Sequence, residues 1–384
     1  MDKIFKLIEK ENKRQLEGIN LIPSENLTSK NVIKAVGSCL TNKYAEGYPG
    51  RRYYQGNAII DEIEQLAIDR GKKLYGFEHL NVQPYSGSPA NCEVLMGLCE
   101  VGDTICGLKL SAGGHLTHGH PRITFAGKYF KSIQYDVDID GKIDFEALQK
   151  LVEIEKPKLI FAGTTAYPFI LDFKKFAKIA DSVGAWLVAD ISHISGLVVT
   201  GEHPSPVPYA HVVTSTTHKT LRGPRGAIIG ITKRGLGKDS DLAKKIDKAV
   251  FPGMQGGPHE NIIAGIAVAF DEASKLKFKK YAAQIIKNAA AMAKTFKDLG
   301  YHVFGTENHL MLIDVGLKKG KEAAVLLEKH GIYCNANTIP GEQGSPLEPS
   351  GIRLGTPMET SKGKKEKDFI LIAKKIDKIL KTLK

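Results

Sequence analysis

Cysteine is scarce in this 384-residue chain and unpaired in pattern: Cys39, Cys92, Cys99, Cys106 and Cys334 form an odd set without a C-x-x-C step. That pattern argues against a disulfide framework and a thiolate metal site, and predicts free, buried thiols in a reducing cytoplasmic setting. Long apolar runs are missing as well. Asn261 to Phe270 is among the longest, far short of the ~20 residues that span a bilayer. Met1 to Lys10 mixes charged with apolar residues, which predicts no cleaved leader and no membrane anchor. Neither a G-x-x-x-x-G-K-[ST] run nor a G-x-G-x-x-G run opening a helix after a strand is present, so nucleotide sites compete poorly. No tract repeats at a fixed period, which excludes solenoid and collagen-like architectures.

What is there is ordinary globular material, 42% hydrophobic and 25% charged, long enough for two domains at roughly 150 residues each. The net charge of +12 raises the question of nucleic acid. Its distribution answers it: Ser361 to Lys384 holds nine Lys against Glu366, Asp368 and Asp377, half the excess. In that segment Phe369, Ile372, Ile376, Ile379 and Leu383 recur at helical spacing, with Lys374, Lys375, Lys378 and Lys381 on other faces. No aromatic residues interleave with the lysines, so a solvated helix face is preferred to an RNA-binding patch.

From Asn57 onward, helical and strand patterns alternate, which predicts a parallel sheet covered by helices. Strands are expected near Leu80 to Gln83, Thr104 to Leu108, Ser132 to Val137, Lys158 to Ala162, Trp186 to Ala189, Val212 to Ser215 and Ala227 to Ile231. Helices are expected over 57–75, 90–99, 145–155 and 173–183, then long helices over about 261–299. A smaller unit follows, with strands at 309–315 and 332–335 and a helix at 321–330. The division expected is an amino-terminal helical arm over 1–45, a large domain over 46–270 and a small domain over 271–384.

Two residues carry the first chemical signal. Asp190 ends the apolar run Trp186-Leu187-Val188-Ala189, and Lys219 closely follows the next strand pattern. Both are therefore expected at the carboxyl edge of the sheet, where α/β proteins bind ligands. A lysine there suits a Schiff base with an aldehyde cofactor, and a buried aspartate suits a protonated pyridine nitrogen; a structural ion pair is the competing reading. Ser86-Gly87-Ser88 before Pro89 adds a helix amino terminus with room for a phosphate, although a simple turn and N-cap explains it equally well in isolation. His115, His118 and His120 lack a nearby Cys, Asp or Glu to complete a metal ligand set.

Long motifs extend these signals. They are Leu21-Ile22-Pro23-Ser24-Glu25-Asn26, the run Thr41 to Tyr54, Gly113-Gly114-His115-Leu116-Thr117-His118-Gly119, the run Thr216 to Gly226 with Thr217-His218-Lys219-Thr220 inside it, and Ser350-Gly351-Ile352-Arg353-Leu354-Gly355-Thr356-Pro357. In these motifs, from about Gly18 to Pro357, the chain resembles the serine hydroxymethyltransferase family of pyridoxal-phosphate enzymes. The resemblance implies a fold type I transferase of the aspartate-aminotransferase kind, with a mainly parallel seven-stranded sheet sandwiched by helices and a smaller α/β domain behind it.

It also implies roles. Lys219 is the Schiff-base lysine and Asp190 the partner of the pyridine nitrogen. Ser86, Gly87, Ser88 and His218 surround the phosphate, His115 stacks on the ring, and His193 sits near the phenolic oxygen. Arg353, assisted by Ser24, clamps the amino-acid carboxylate; Glu46 is the acid/base group and Tyr54 a polar partner. Tyr44, Glu46, Tyr54, Gly256 and Gly257 come from the neighbouring subunit of a homodimer with shared sites. Leu110, Gly114 and Asn337 hold the pterin edge. The implied reaction takes L-serine and tetrahydrofolate, or a related reduced pterin, to glycine and 5,10-methylenetetrahydrofolate. A pterin-independent threonine aldolase-like lyase is the alternative nearest in chemistry. Two departures stand out: Ser192 replaces the Ala usual in the family, so its hydroxyl needs a partner, and Leu347 stands where some relatives place an aromatic.

Overall fold

The structure, a computed structural model, describes residues 2–121 and 123–383. Its centre is a seven-stranded sheet of β1 (His79–Asn81), β2 (Thr104–Leu108), β3 (Lys131–Tyr135), β4 (Leu159–Gly163), β5 (Trp186–Asp190), β6 (Val212–Thr216) and β7 (Ala227–Ile231). The spatial order is β1-β7-β6-β5-β4-β2-β3, and β7 alone runs against its neighbours. β4 through β7 are buried at every residue, as expected of strands covered on both faces.

The covering helices begin and end where local chemistry dictates. α1 (Lys3–Glu17) starts at Asp2, whose side chain accepts the Ile4 N–H; none of its residues is buried. α2 (Lys30–Val36) starts at Ser29 in the same manner. α3 (Ala58–Tyr75) stops at Gly76, which takes a left-handed conformation open to glycine. α4 (Gly87–Leu98) begins after β1 with no side-chain cap. α5 (Phe145–Glu155) and α6 (Phe173–Ser182) are capped by Asp144 and Asp172.

α7 (Glu260–Ala273) packs on α2 and α3. α8 (Leu276–Asp298) then contributes Phe278, Tyr281, Ala282 and Ile285 to the large apolar core, and Ala289, Met292, Ala293 and Phe296 to a second one. That second core lies against a four-stranded antiparallel sheet of β8 (Val303–Phe304), β9 (Leu310–Asp314), β10 (Asn335–Asn337) and β11 (Gly351–Gly355), in the order β8-β9-β11-β10. α9 (Gly320–Lys329) and α10 (Glu366–Leu380) complete it. α10 spends its apolar face, Phe369, Ile372, Ala373, Ile376, Ile379 and Leu380, on this core. Lys374, Lys375, Lys378 and Lys381 are left outside.

Candidate active site

β5 and β6 are parallel neighbours, with Asp190 opposite Thr214. Asp190 therefore ends its strand at the carboxyl edge, and the chain beyond Thr216 turns across the same edge with Lys219 in the turn. The turn is anchored from outside. Asn26 Nδ2 donates to the Lys219 carbonyl at 2.9 Å, and Arg222 Nε donates to the Leu27 carbonyl at 3.1 Å. Arg222 holds φ at +64°, an uncommon conformation for a side-chain-bearing residue, while its guanidinium lies 4.8 Å from the Tyr281 ring centre. On the other side of β5, Gly163 permits close approach, since a Cβ there would meet Asp190 Cβ at 2.6 Å.

A cleft of about 470 Å³ opens over this edge. Ser24, Ser86, Gly87, Ser88, Leu110, Gly114, His115, His193, His218, Lys219 and Arg353 line it, together with Glu25, Leu116, Thr165, Thr216 and Arg225. Two larger hollows, lined by 111–112, 136–139 and 338–346 and by 70–74, 199–200 and 270–279, lack this convergence of lysine, arginine and imidazole groups.

Asp190 lies beneath the cleft and is held at three points. Its Oδ2 accepts from Asn91 Nδ2 and pairs with His118 Nε2, both at 2.9 Å, and its Oδ1 accepts the Ser192 N–H at 3.0 Å. Burial alone would raise its pKa; the hydrogen bonds from His118 and Asn91 and the charge of His118 outweigh burial and hold the carboxyl well below the usual carboxylate range. Asn91 is the hub of this network. It also donates to Thr117 Oγ1 at 2.9 Å and accepts from Thr214 Oγ1 at 2.8 Å, while Thr117 Oγ1 meets His115 Nδ1 at 2.7 Å. His118, stacked on Phe161 at 4.7 Å, is thus part of the Asp190 support. Among the described residues no group of His, Cys, Asp and Glu side chains is arranged to hold a metal ion.

Lys219 is desolvated. Burial, with Arg353 and Arg225 adding to it and Asp190 opposing, brings its amine down to about 8. Burial also lowers His115 to about 4 and His218 to about 3, and puts His193 well below its ordinary value, so the imidazoles of the cleft are neutral. Arg353 is fixed by Nε to Asn335 Oδ1 at 3.0 Å and Nη1 to the Thr165 carbonyl at 2.5 Å. No bond to Nη2 is seen among the described residues, and burial lowers the guanidinium to about 10.

The remaining predicted residues are elsewhere. Asn337 donates its amide to the Thr338 carbonyl at 2.7 Å and does not line the cleft. Leu347 is 83% exposed. Tyr44, Glu46, Tyr54, Gly256 and Gly257 gather in a group of their own: the Tyr44 and Tyr54 rings meet edge-on at 5.1 Å, a Cβ at Gly256 would lie 3.2 Å from Glu46 Oε1, and one at Gly257 would lie 3.4 Å from the Tyr44 ring. Tyr44 is 55% and Tyr54 47% exposed. Ser192 has the partner its hydroxyl requires, because Oγ accepts the Thr216 N–H at 3.0 Å. Sequence reasoning missed Asn91, Thr165 and Arg225. For Asn91 a signal existed: an amide and a carboxylate, Asn91 and Glu93, sit inside an otherwise apolar helix without a polar face.

A phosphorylated pyridoxal fits these residues. Thr216 Oγ1 and His218 Nδ1 are buried and unpartnered among the described residues, and the α4 amino terminus beside them is uncapped. The fold and the cleft together define a pyridoxal-phosphate enzyme of fold type I. The serine hydroxymethyltransferase family matches residues 1–376. The serine hydroxymethyltransferase of Desulfotalea psychrophila is 51% identical over 381 residues, covering 98% of this chain and 88% of the relative. Those of Novosphingobium aromaticivorans and Acidothermus cellulolyticus are 53% and 51% identical, each over 98% of this chain and over 86% and 87% of the relative. The chain belongs to the serine hydroxymethyltransferase family, whose members use pyridoxal phosphate and pass the one-carbon unit of serine to tetrahydrofolate. No helix among the described residues is long and apolar enough to cross a membrane.

Proposed function

We propose that the cleft converts L-serine and tetrahydrofolate reversibly to glycine and 5,10-methylenetetrahydrofolate, with its residues in the following roles. Pyridoxal 5'-phosphate, when bound, supplies an aldehyde carbon that captures amines and a pyridinium ring that withdraws electrons from the bonds at the amino-acid Cα. Lys219 provides the amine that holds the cofactor and returns after turnover; a value near 8 keeps part of it neutral and nucleophilic. Asp190, ionised beneath the cleft, holds the proton on the ring nitrogen. Ser86, Gly87, Ser88 and His218 receive the phosphate at the α4 amino terminus. His115 offers a flat neutral face, and His193 a neutral imidazole near the phenolic oxygen.

Arg353 takes the substrate carboxylate with its uncommitted Nη2, beside Ser24, a task for which a planar guanidinium is suited. Glu46 carries the proton to and from the serine hydroxyl, with Tyr54 as its polar neighbour. Glu46, Tyr54, Tyr44, Gly256 and Gly257 act in the cleft of a second subunit, a reading supported by their exposure and their separation from their own cleft. Leu110, Gly114 and Asn337 bind the pterin edge. The five free cysteines support a cytoplasmic setting.

The observation that carries the proposal is the convergence of Lys219, Arg353 and three neutral imidazoles on one cleft above an ionised Asp190. Glycine release from serine, measured with and without tetrahydrofolate in the native protein and in Lys219→Ala, tests it. The native protein is expected to need the pterin and the variant to be inert. Normal cleavage by the variant overturns the lysine assignment, and equal native rates without pterin overturn the co-substrate.

A further inference from the structure

The segment that carries Glu46 and Tyr54 is a small hairpin, Gly47–Tyr48 paired with Arg51–Arg52, with Gly47 opposite Arg52. Its backbone is held by the Arg52 side chain, with Gln83 beside it. The Arg52 side chain is buried and does not line the lysine cleft, yet four groups converge on it: Nη1 donates to the Ala45 carbonyl at 2.8 Å and to the Gly47 carbonyl at 3.1 Å, Nε to Asp61 Oδ1 at 2.8 Å, and Nη2 to Glu64 Oε2 at 2.6 Å. The two carbonyls flank Glu46 in the chain, and the Glu46 carbonyl itself accepts the Tyr53 N–H at 3.0 Å.

The anchor behind the guanidinium is itself cross-linked. Asp61 Oδ2 also accepts the Gly50 N–H at 2.8 Å, and Gln83 Nε2 bridges Glu64 Oε1 at 2.8 Å and the Gly47 carbonyl at 2.9 Å. Glu260, three residues past Gly257, approaches Arg52 Nη1 only to 3.9 Å, and neither of its oxygens receives a hydrogen bond among the described residues. The donors of Arg52 are thus directed to the hairpin and to α3. Gly47 completes the geometry with φ at +100°, where a Cβ would meet the Arg51 carbonyl oxygen at 2.3 Å.

We propose that Arg52 is the positioning residue for the acid/base segment: by tying the carbonyls on both sides of Glu46 to the carboxylates of α3, it fixes where Glu46 and Tyr54 are presented to the second subunit's cleft. The proposal rests on the shared-cleft reading given above. A guanidinium can serve two carbonyls and two carboxylates in one plane, whereas an ammonium has three donors on a compact head. Arg52→Lys therefore keeps the charge and frees the backbone around Glu46. A displacement of about 1 Å at a catalytic group lowers turnover by roughly 100-fold, so kcat is expected to fall by about that factor with serine KM and cofactor affinity little changed.

Mixed dimers separate positioning from mere folding. Pairing an Arg52→Lys chain with a Lys219→Ala chain creates one cleft with an intact lysine and an intact hairpin from the other chain. Recovery to about half the native rate per dimer is expected. A mixed dimer as slow as the Arg52→Lys homodimer overturns the proposal, as does an Arg52→Lys homodimer with native kcat. Tyr54→Phe paired with Lys219→Ala is the control; failure to recover there overturns the shared cleft itself, and the Arg52 role with it. Should Arg52→Lys not fold, Asp61→Asn loosens the same anchor from its half-buried end and is expected to show a smaller loss with the same rescue; a loss without rescue overturns the proposal.

Discussion

Glu93 offers a direct test of how burial governs this protein. It lies inside α4, is 0% exposed, and neither carboxyl oxygen receives a hydrogen bond among the described residues. Its helical neighbour Gly97 lies against Lys245, Ile246 and Ala249, and Met96 against Gly253. Burial pushes its pKa up to about 8. In the unfolded chain a glutamate titrates near 4.3. Between roughly pH 4.5 and 8 the folded protein therefore holds a proton that the unfolded chain has released, and this contribution to stability falls as pH rises through that window, levelling off above it. At pH 7 the loss amounts to roughly 3–4 kcal/mol.

Glu93→Met removes the titrating group and fills its space with an unbranched apolar side chain. The variant is expected to be more stable than the native protein, with the gap widening by about 3 kcal/mol between pH 5 and pH 8. For a chain of this length that is on the order of 4 °C in Tm. Urea midpoints at several pH values, at fixed protein and cofactor concentration, measure it. Two stability curves that run parallel across that range would refute a neutral Glu93. Glu260, raised to about 8 chiefly by burial and by the charge of Glu64, titrates equally in both proteins and cancels in the comparison.

Arg353→Lys keeps the positive charge and loses the fork, which should weaken serine and glycine binding by about 2 kcal/mol, or some 30-fold in Kd; unchanged titration curves contradict the carboxylate role. Asn91→Ala strips Asp190 and Thr117 of a shared donor and is expected to weaken pyridoxal-phosphate binding by about tenfold, read by equilibrium dialysis; native affinity would show that Asp190 needs no such support. Ser192→Ala leaves the Thr216 N–H without the acceptor it has now and should destabilise the protein by about 1 kcal/mol or more. An unaltered urea midpoint counts against that.

The sheet was largely legible because most of its inner strands are apolar-rich runs between turn residues: Thr104–Leu108 and Ala227–Ile231 match the expected spans, and Leu159–Gly163 and the more polar Lys131–Tyr135 differ from theirs by one or two residues. The strand order and the reversal of β7 are not encoded in periodicity, since they arise from pairings between distant segments. Lys219 and Asp190 could be read because each lies at or just past the end of a strong strand pattern. Asn91 left only the anomaly of an amide in an apolar helix, and Thr165 left no signal, because their roles come from contacts with Asp190 and Arg353, 99 and 188 residues away along the chain. Arg52 was visible as a motif residue, but its inward path depends on Asp61 and Glu64 sharing one face of α3.

α8 has a mechanical consequence. About 35 Å long, it is built into both apolar cores, and at the crossing point Thr356, just past the strand that carries Arg353, donates its hydroxyl to the Ile285 carbonyl at 3.0 Å. Lys219 lies beside the first core and Arg353 beside the second, so α8, together with the bond from Arg353 to the Thr165 carbonyl, fixes the spacing of amine and guanidinium. The lobes are correspondingly hard to separate by cutting the chain. A fragment beginning at 271 would bare Phe278, Tyr281 and Ile285 and should self-associate. One beginning at Ala289 would keep only the last ten residues of the helix, fewer than the roughly 12–15 an isolated helix needs. Protease nicks within α8 should therefore release no stable lobe; they should unfold the chain on both sides of the cut.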